Sequence, residues 1–249
     1  MSGTSSAARF TATPSGPDVR RLAWTAGFLF LLSMVGGGLG EFYAPVHIVV
    51  SGDAAATARN VHDMDFLLRL GFAGYLVEAV CDIALAWLFY LLLRPVDKNL
   101  ALLSAFFGLV GTATFASSEI FFFAPSFILG GSSYLDAFTA DQLNALALLS
   151  FKLYGYGAGL LMVFYGMGWV IRGYLMYHSG YFPRVLGAIM ASAGAGFIVK
   201  NLTLVFLPAY SSDIFVVPMF IGGLALMVWL LVKGVDMKKW NERVGAAAA

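Results

Sequence analysis

The sequence predicts an all-α polytopic membrane protein, with six transmembrane helices in one bundle and both termini in the cytoplasm. Three observations carry that reading. Of 249 residues, 60% are hydrophobic and 12% charged, with a mean hydropathy of +0.82, whereas a soluble domain carries roughly 25% charge. Six apolar runs can be drawn, 22–41, 66–93, 99–123, 143–171, 185–207 and 215–234, each reaching the ~20 residues that cross a bilayer. Basic residues are one-sided. Arg9, Arg20, Arg21, Arg94, Lys98, Arg172, Arg184, Lys233, Lys238, Lys239 and Arg243 fall on one side, and Arg59 and Arg69 on the other. Cationic loops stay in the cytoplasm, and this places both termini there.

Taken in order, the first residues, MSGTSSAARFTATPSGPDV, are small and polar and predict a disordered cytoplasmic tail over 1–19. They lack the short apolar region and small-residue cleavage site of a signal peptide. The run after Arg20–Arg21 is long and shows no cleavage site, so it reads as a retained helix. The connection SGDAAATARNV (51–61) offers the capping residues Ser51 and Asp53 ahead of alanines and predicts a short outer helix. The second run contains the single cysteine, Cys81, read as a small buried side chain. Pro125, in IFFFAPSFIL (120–129), predicts a break or re-entry at the outer surface.

Thr139-Ala-Asp-Gln142 fits a capping box opening the fourth run, with Thr139 as N-cap and Gln142 at N3. SGYFPR (179–184) reads as a turn with an interfacial aromatic, then a proline starting the fifth run. The membrane domain spans 20–235, and 236–249 is a second cytoplasmic tail. No internal repeat supports an inverted-repeat transporter. A net charge of +1 gives no basic field for nucleic acid.

RGYLMYHSGYFPRVLG (172–187), SGDAAATA (51–58), CDIALAWLFYLLLRPV (81–96) and YLDAFTADQLNALALL (134–149) resemble the bacterial integral-membrane family known as domain of unknown function 4386. The likeness covers about residues 20 to 235. It implies a multi-pass protein of the bacterial cell membrane. It brings no catalytic residue, and no cofactor is expected.

The chemistry rests on ionisable residues inside the apolar runs. Counting ~1.5 Å per residue from each cytoplasmic end puts Asp82 ~18 Å up and Glu78 and Lys200 ~24 Å up. Glu41, Lys152 and Glu119 come at ~30 Å. At 100° per residue Glu78 shares a stripe with Gly71, Gly74, Tyr75 and Asp82, and Lys152 with Gly155, Tyr156 and Gly159. Lys200 lines up with Ala193, Gly196 and Thr203, and Glu119 with Gly108, Thr112 and Ala116. Small-residue faces pack against other helices.

A lone ion near the bilayer centre costs ~3 kcal/mol or more, so these groups are expected to gather. The expected site is an outward-opening polar pocket of Glu41, Tyr75, Glu78, Asp82, Glu119, Lys152, Tyr156 and Lys200. Glu78 and Lys200 are expected to pair at equal depth, with Asp82 below them keeping its proton. The bland alternative is a set of ion pairs that fixes helix packing.

His47, His62, Asp63 and Asp65 sit in or beside the first outer connection, but their spacing matches no metal motif. No GxSxG or HExxH occurs. Two readings therefore lead: a protein that binds or transports a small polar or ionic ligand, and a non-catalytic partner of another membrane protein. An acid–base enzyme using Glu78 and Asp82 ranks third, for want of a nucleophile beside them.

Overall fold

The computed structural model describes residues 16–248, all-helical apart from turns and short connections. The expected tail up to residue 15 lies outside them. Helix α1 comprises Gly16–Gly37, a π-helical stretch Gly38–Tyr43 and Ala44–Ile48. It therefore begins within the stretch read as tail and ends seven residues beyond the first apolar run. The short α2 (Ala54–Asp63) follows, then α3 (Asp65–Leu93), α4 (Lys98–Ile128), α5 (Ala140–Ser179), α6 (Arg184–Phe206), α7 (Val217–Val232) and α8 (Met237–Ala248). Among the described residues there is no strand. Five helices are long and apolar enough to cross a membrane, or six if the bent pair α7 and α8 is one span.

α1, α3, α4, α5, α6 and α7 each pack on the next in chain order, and α7 closes back on α1. The result is a ring. Its outward surface is apolar: Trp24, Val35, Phe66, Val80, Trp87, Phe106 and Ile120 are all more than half exposed, as helices facing lipid would be. One end, here called basal, holds the start of α1 and the connections 94–97, 180–183 and 233–236. The mouth end holds the connections 49–53, 129–139 and 207–216.

Close approach of the helices depends on glycine at two contacts. A side chain on Gly36 would run into the Gly74 carbonyl, fixing the α1–α3 crossing. A side chain on Gly173 would run into the backbone of Ala191 and Gly187, fixing α5 against α6. Such backbone contact is how helices associate where burial of apolar surface offers little.

Several expected local signals are present. Asp53 caps α2 by accepting from the Ala56 N–H at 2.8 Å. Thr139 and Gln142 form the reciprocal capping box, with bonds of 2.9 and 3.3 Å. Gly180 takes the left-handed conformation after α5, at φ 78°. Cys81 is buried.

One reading is corrected. Pro125 does not break the chain, because α4 continues to Ile128. Proline leaves the carbonyl four residues earlier without its helical donor, and here the Ser150 hydroxyl donates to that Phe121 oxygen at 2.8 Å. In the turn before α6, Tyr181 is buried, and its hydroxyl donates to the Leu92 carbonyl at 2.7 Å. Within the expected second tail, Met237–Ala248 form a helix that turns 95° from α7 and buries Trp240 against the Tyr181 ring, centroids 5.0 Å apart.

Apolar packing is continuous at the basal end, where Phe30, Leu88, Phe89, Leu92, Trp169, Leu175, Met190, Leu226 and Trp240 join one cluster. A smaller cluster at the mouth end (Ala44, Ile48, Val61, Leu68, Phe122, Phe151 and Tyr154) pins α2 to the bundle.

Candidate functional site

Between the two clusters the ring encloses a cavity of about 860 Å³. All six ring helices contribute walls. Aromatic side chains dominate (Phe30, Phe42, Phe115, Tyr154, Trp169, Phe197 and Phe220), and Ser211 of the α6–α7 connection lies at the mouth end. Of the eight residues expected to form the site, Glu41, Tyr75, Glu78, Asp82 and Lys200 line this cavity.

Local structure explains why Glu41 reaches it. Ser33, Gly37 and Glu41 are spaced by four on α1, and the π stretch Gly38–Tyr43 interrupts the regular helix where Glu41 enters. π turns of this kind re-aim side chains and are frequent at functional sites. From α3, Glu78 lies over Gly37, whose missing side chain leaves room for the carboxyl group. Glu41 and Glu78 face each other, and the other charged groups acting on this pair are Asp82 and Glu119. Every one is a carboxyl. The Glu78 Oε2 atom and the Tyr75 hydroxyl are buried with no hydrogen-bond partner.

Glu119 is only 1% exposed and sits behind this wall rather than in it. Tyr154 approaches it, yet neither Glu119 oxygen has a partner at hydrogen-bond geometry. The expected Glu78–Lys200 pair is not what surrounds Glu78, although Lys200 lines the same cavity.

Asp82 forms the floor, in surroundings unlike those expected. Its Oδ1 accepts from the Ser33 hydroxyl and its Oδ2 from the Tyr165 hydroxyl, both at 2.9 Å. Arg172 acts electrostatically on both Asp82 and Tyr165. Two accepted hydroxyls and a guanidinium acting on it are the surroundings an ionised carboxylate takes.

Arg172 is also the largest departure from the sequence reading. Counted as a cytoplasmic anchor, it is 6% exposed and stacks over the Phe89 ring at 4.5 Å. α5 runs seven residues past it to Ser179, so Arg172 lies two turns inside the helix. Lys152 and Tyr156 are corrected as well. Both are exposed, because the buried stripe of the outer half of α5 is Ala147, Ser150, Phe151 and Tyr154. Gly155 and Gly159 do reach the cavity, without the lysine.

Sequence reasoning missed Ser33, Tyr154, Tyr165, Trp169 and Arg172. A signal existed. Tyr165, Trp169 and Arg172 recur at four and three residues, one face of a helix. It is visible only if α5 is continued past the apolar run.

The family model for "Domain of unknown function (DUF4386)" matches residues 25–234. The chain belongs to the DUF4386 family. That match holds every cavity residue named above and the ring apart from residues 16–24 of α1, while all of α8 lies outside it. An uncharacterized protein of Archaeoglobus fulgidus is 28% identical over 174 residues, 68% of this chain and 90% of that protein. No solved structure matches the chain.

Proposed function

We propose that this DUF4386 protein is a six-span protein of the cell membrane that binds a small ligand in the interhelical cavity, entering from outside. One observation carries the reading. A cavity of about 860 Å³ is bordered by buried polar atoms, Tyr75 Oη and Glu78 Oε2, that have no partner. Ligand sites are concave, mostly apolar and of ~300–1,000 Å³, with few convergent polar groups. Buried polar atoms left unmatched cost ~1–3 kcal/mol each, which a bound ligand would relieve.

The topology supports an outside entrance. Arg20, Arg21, Arg94, Lys98, Arg184, Lys233, Lys238, Lys239 and Arg243 flank the basal end, and Arg59 and Arg69 the mouth end. Even without Arg172 and Arg9, this asymmetry supports a cytoplasmic basal end, with both termini on that side. In this reading α7 gives ~24 Å of the sixth span, and α8, turned 95° from it, runs along the cytoplasmic surface. Below Asp82 the packed basal cluster leaves a floor, so ligand enters and leaves at one end.

Gly38 gives a direct test. It lines the cavity, and a side chain built there meets nothing within 4 Å. Small polar and charged molecules screened by thermal unfolding in detergent should include some that stabilise the wild type and none that act alike on Gly38→Phe. Equal shifts in the two proteins, or no stabilising molecule, would refute the reading. Orientation is checked separately with single cysteines at Ser133 and Lys238 in a Cys81→Ala background. An impermeant reagent added outside cells should label the first and not the second.

A further inference from the structure

We propose that the ligand is an organic ammonium ion, its charged head between Glu41 and Glu78 and its apolar body against the aromatic walls. This deepens the ligand-binding reading and rests on it. The argument begins with charge. The cavity is lined by Glu41, Glu78, Asp82 and Lys200. Asp82 already accepts two hydroxyls and has Arg172 beside it. Its charge is answered from the basal side. Glu41 and Glu78 have no such answer, since the charged groups that act on them are further carboxyls. Glu119 behind the wall, 1% exposed and with both oxygens unmatched, adds a third.

An independent observation points the same way. Tyr75 is 2% exposed, lines the cavity, and its hydroxyl is unpartnered. A phenol oxygen can accept from the N–H of an ammonium or from the polarised methyl C–H groups of a quaternary one, while its ring and that of Phe115, packed edge-on with centroids 5.1 Å apart, present π surface. Phe42, Tyr154, Trp169 and Phe197 extend that surface around the cavity. Aromatic walls attract a desolvated cation through the ring quadrupole, and the quaternary ammonium cage is the familiar form of this contact.

The size of the cation follows from geometry. Among the described residues no three carboxylates, histidines or cysteines converge closely enough to hold a metal ion. A bare ion needs oxygens at ~2.0–2.6 Å from one point. A larger cation, carrying its charge on a substituted nitrogen, reaches separated carboxyls without requiring that convergence, and a cavity of about 860 Å³ has room for its apolar part.

The test uses the full chain in phosphatidylcholine nanodiscs with dansyl probes that share one fluorophore and linker. Their ends are a trimethylammonium, its neutral tert-butyl isostere, and a carboxylate. The trimethylammonium probe should bind at least ~10-fold more tightly than the tert-butyl probe, and the carboxylate probe most weakly. Glu78→Gln should remove that preference without weakening the tert-butyl probe, and Gly38→Phe should remove saturable binding of all three. Thermal unfolding establishes that Glu78→Gln is folded, with Glu41→Gln as the replacement if it is not.

If the neutral or carboxylate probe binds as tightly as the ammonium probe, and Gly38→Phe still abolishes it, the ammonium assignment falls and the cavity reading stands. Retention of the ammonium preference in folded Glu78→Gln and Glu41→Gln also overturns the assignment. If no probe shows saturable binding, or Gly38→Phe has no effect, the ligand-binding reading itself falls, and the ammonium with it.

Discussion

At the basal end of the cavity, Asp82 accepts from Ser33 and Tyr165 and feels the charge of Arg172, which in turn lies on Phe89. One or two turns toward the mouth, Glu41, Glu78 and Glu119 act chiefly on one another, Glu41 and Glu78 in side-chain contact, and Glu78 Oε2 and both Glu119 oxygens have no donor. The same ring of helices thus contains a carboxylate whose two oxygens both have donors, although Arg172 Nε and Trp169 Nε1 near it have no acceptor, and a group of carboxyls whose oxygens lack donors. The first is what a structural role needs, because a buried charge is tolerable only when its neighbours replace its hydration. The second loses free energy in the ligand-free protein, so its groups await something the fold does not supply. Packing follows the same division. Below Asp82 the space is filled by Leu88, Leu92, Trp169 and Met190, and above it there is a cavity.

The sharpest way to break this contrast is to remove one charge from each region. Arg172→Met should cost about 3 kcal/mol, since it withdraws the cation beside a buried carboxylate. Asp82→Asn in the same chain should recover part of that loss. Glu78→Gln, by contrast, should leave stability unchanged or improved, because it removes one of several mutually repelling carboxyls. Denaturation in a mild detergent, read by tryptophan fluorescence, compares the three. Equal losses from Arg172→Met and Glu78→Gln would show that the two regions do not differ as described.

A smaller contrast comes from side chains added to glycine. At Gly173 a methyl group would meet the backbone of α6, which can yield only by parting the helices. Gly173→Ala should therefore cost ~1–3 kcal/mol. Gly38→Ala, which meets nothing, should stay within ~0.5 kcal/mol of the parent. Thermal unfolding of both variants under one condition measures the difference, and a costly Gly38→Ala would mean that the cavity is not open there.

The contrast also marks the limits of the sequence reading. The all-α class and the starts of α2 through α7 were legible to within a few residues, because apolar runs and caps such as Thr139 are local, whereas α1 begins and α8 forms in stretches read as tails. Glu41, Glu78 and Asp82 could be drawn together because the cost of burying a charge in an apolar run requires company. Arg172 and Lys152 were exchanged in role for a different reason. Hydropathy ended α5 at Ile171, whereas its polar continuation to Ser179 is held by tertiary contacts such as the buried Leu175 and Met176. An arginine at the end of an apolar run and one two turns inside a helix look alike until the helix's true end is known. Lys152 failed on rotation. Its neighbours Gly155 and Gly159 do face the cavity, but the stripe that decides the helix's orientation is Ser150, Phe151 and Tyr154, and it becomes readable only with α4 in place.

The smallest effect concerns the basal lock itself. Pro95 has no N–H, and the Val96 N–H donates to Leu93, so the Leu92 carbonyl at the end of α3 has no helical donor. The Tyr181 hydroxyl fills that place at 2.7 Å. Tyr181→Phe should cost ~1 kcal/mol at neutral pH, leaving the carbonyl unmatched. Burial pushes the Tyr181 phenol above its ordinary range, with Arg243 opposing only in part. The folded chain therefore keeps this proton at pH values where the unfolded chain, near its ordinary ~10, has lost it. Stability contributed by Tyr181 is complete below about pH 10 and declines as pH rises beyond it, by up to ~1.4 kcal/mol per pH unit. Unfolding followed through Trp240, which packs on the same ring, should show wild type and Tyr181→Phe converging between pH 9 and 11. Parallel pH profiles for the two proteins would mean that the phenol is open to solvent and that α8 does not seal the basal end.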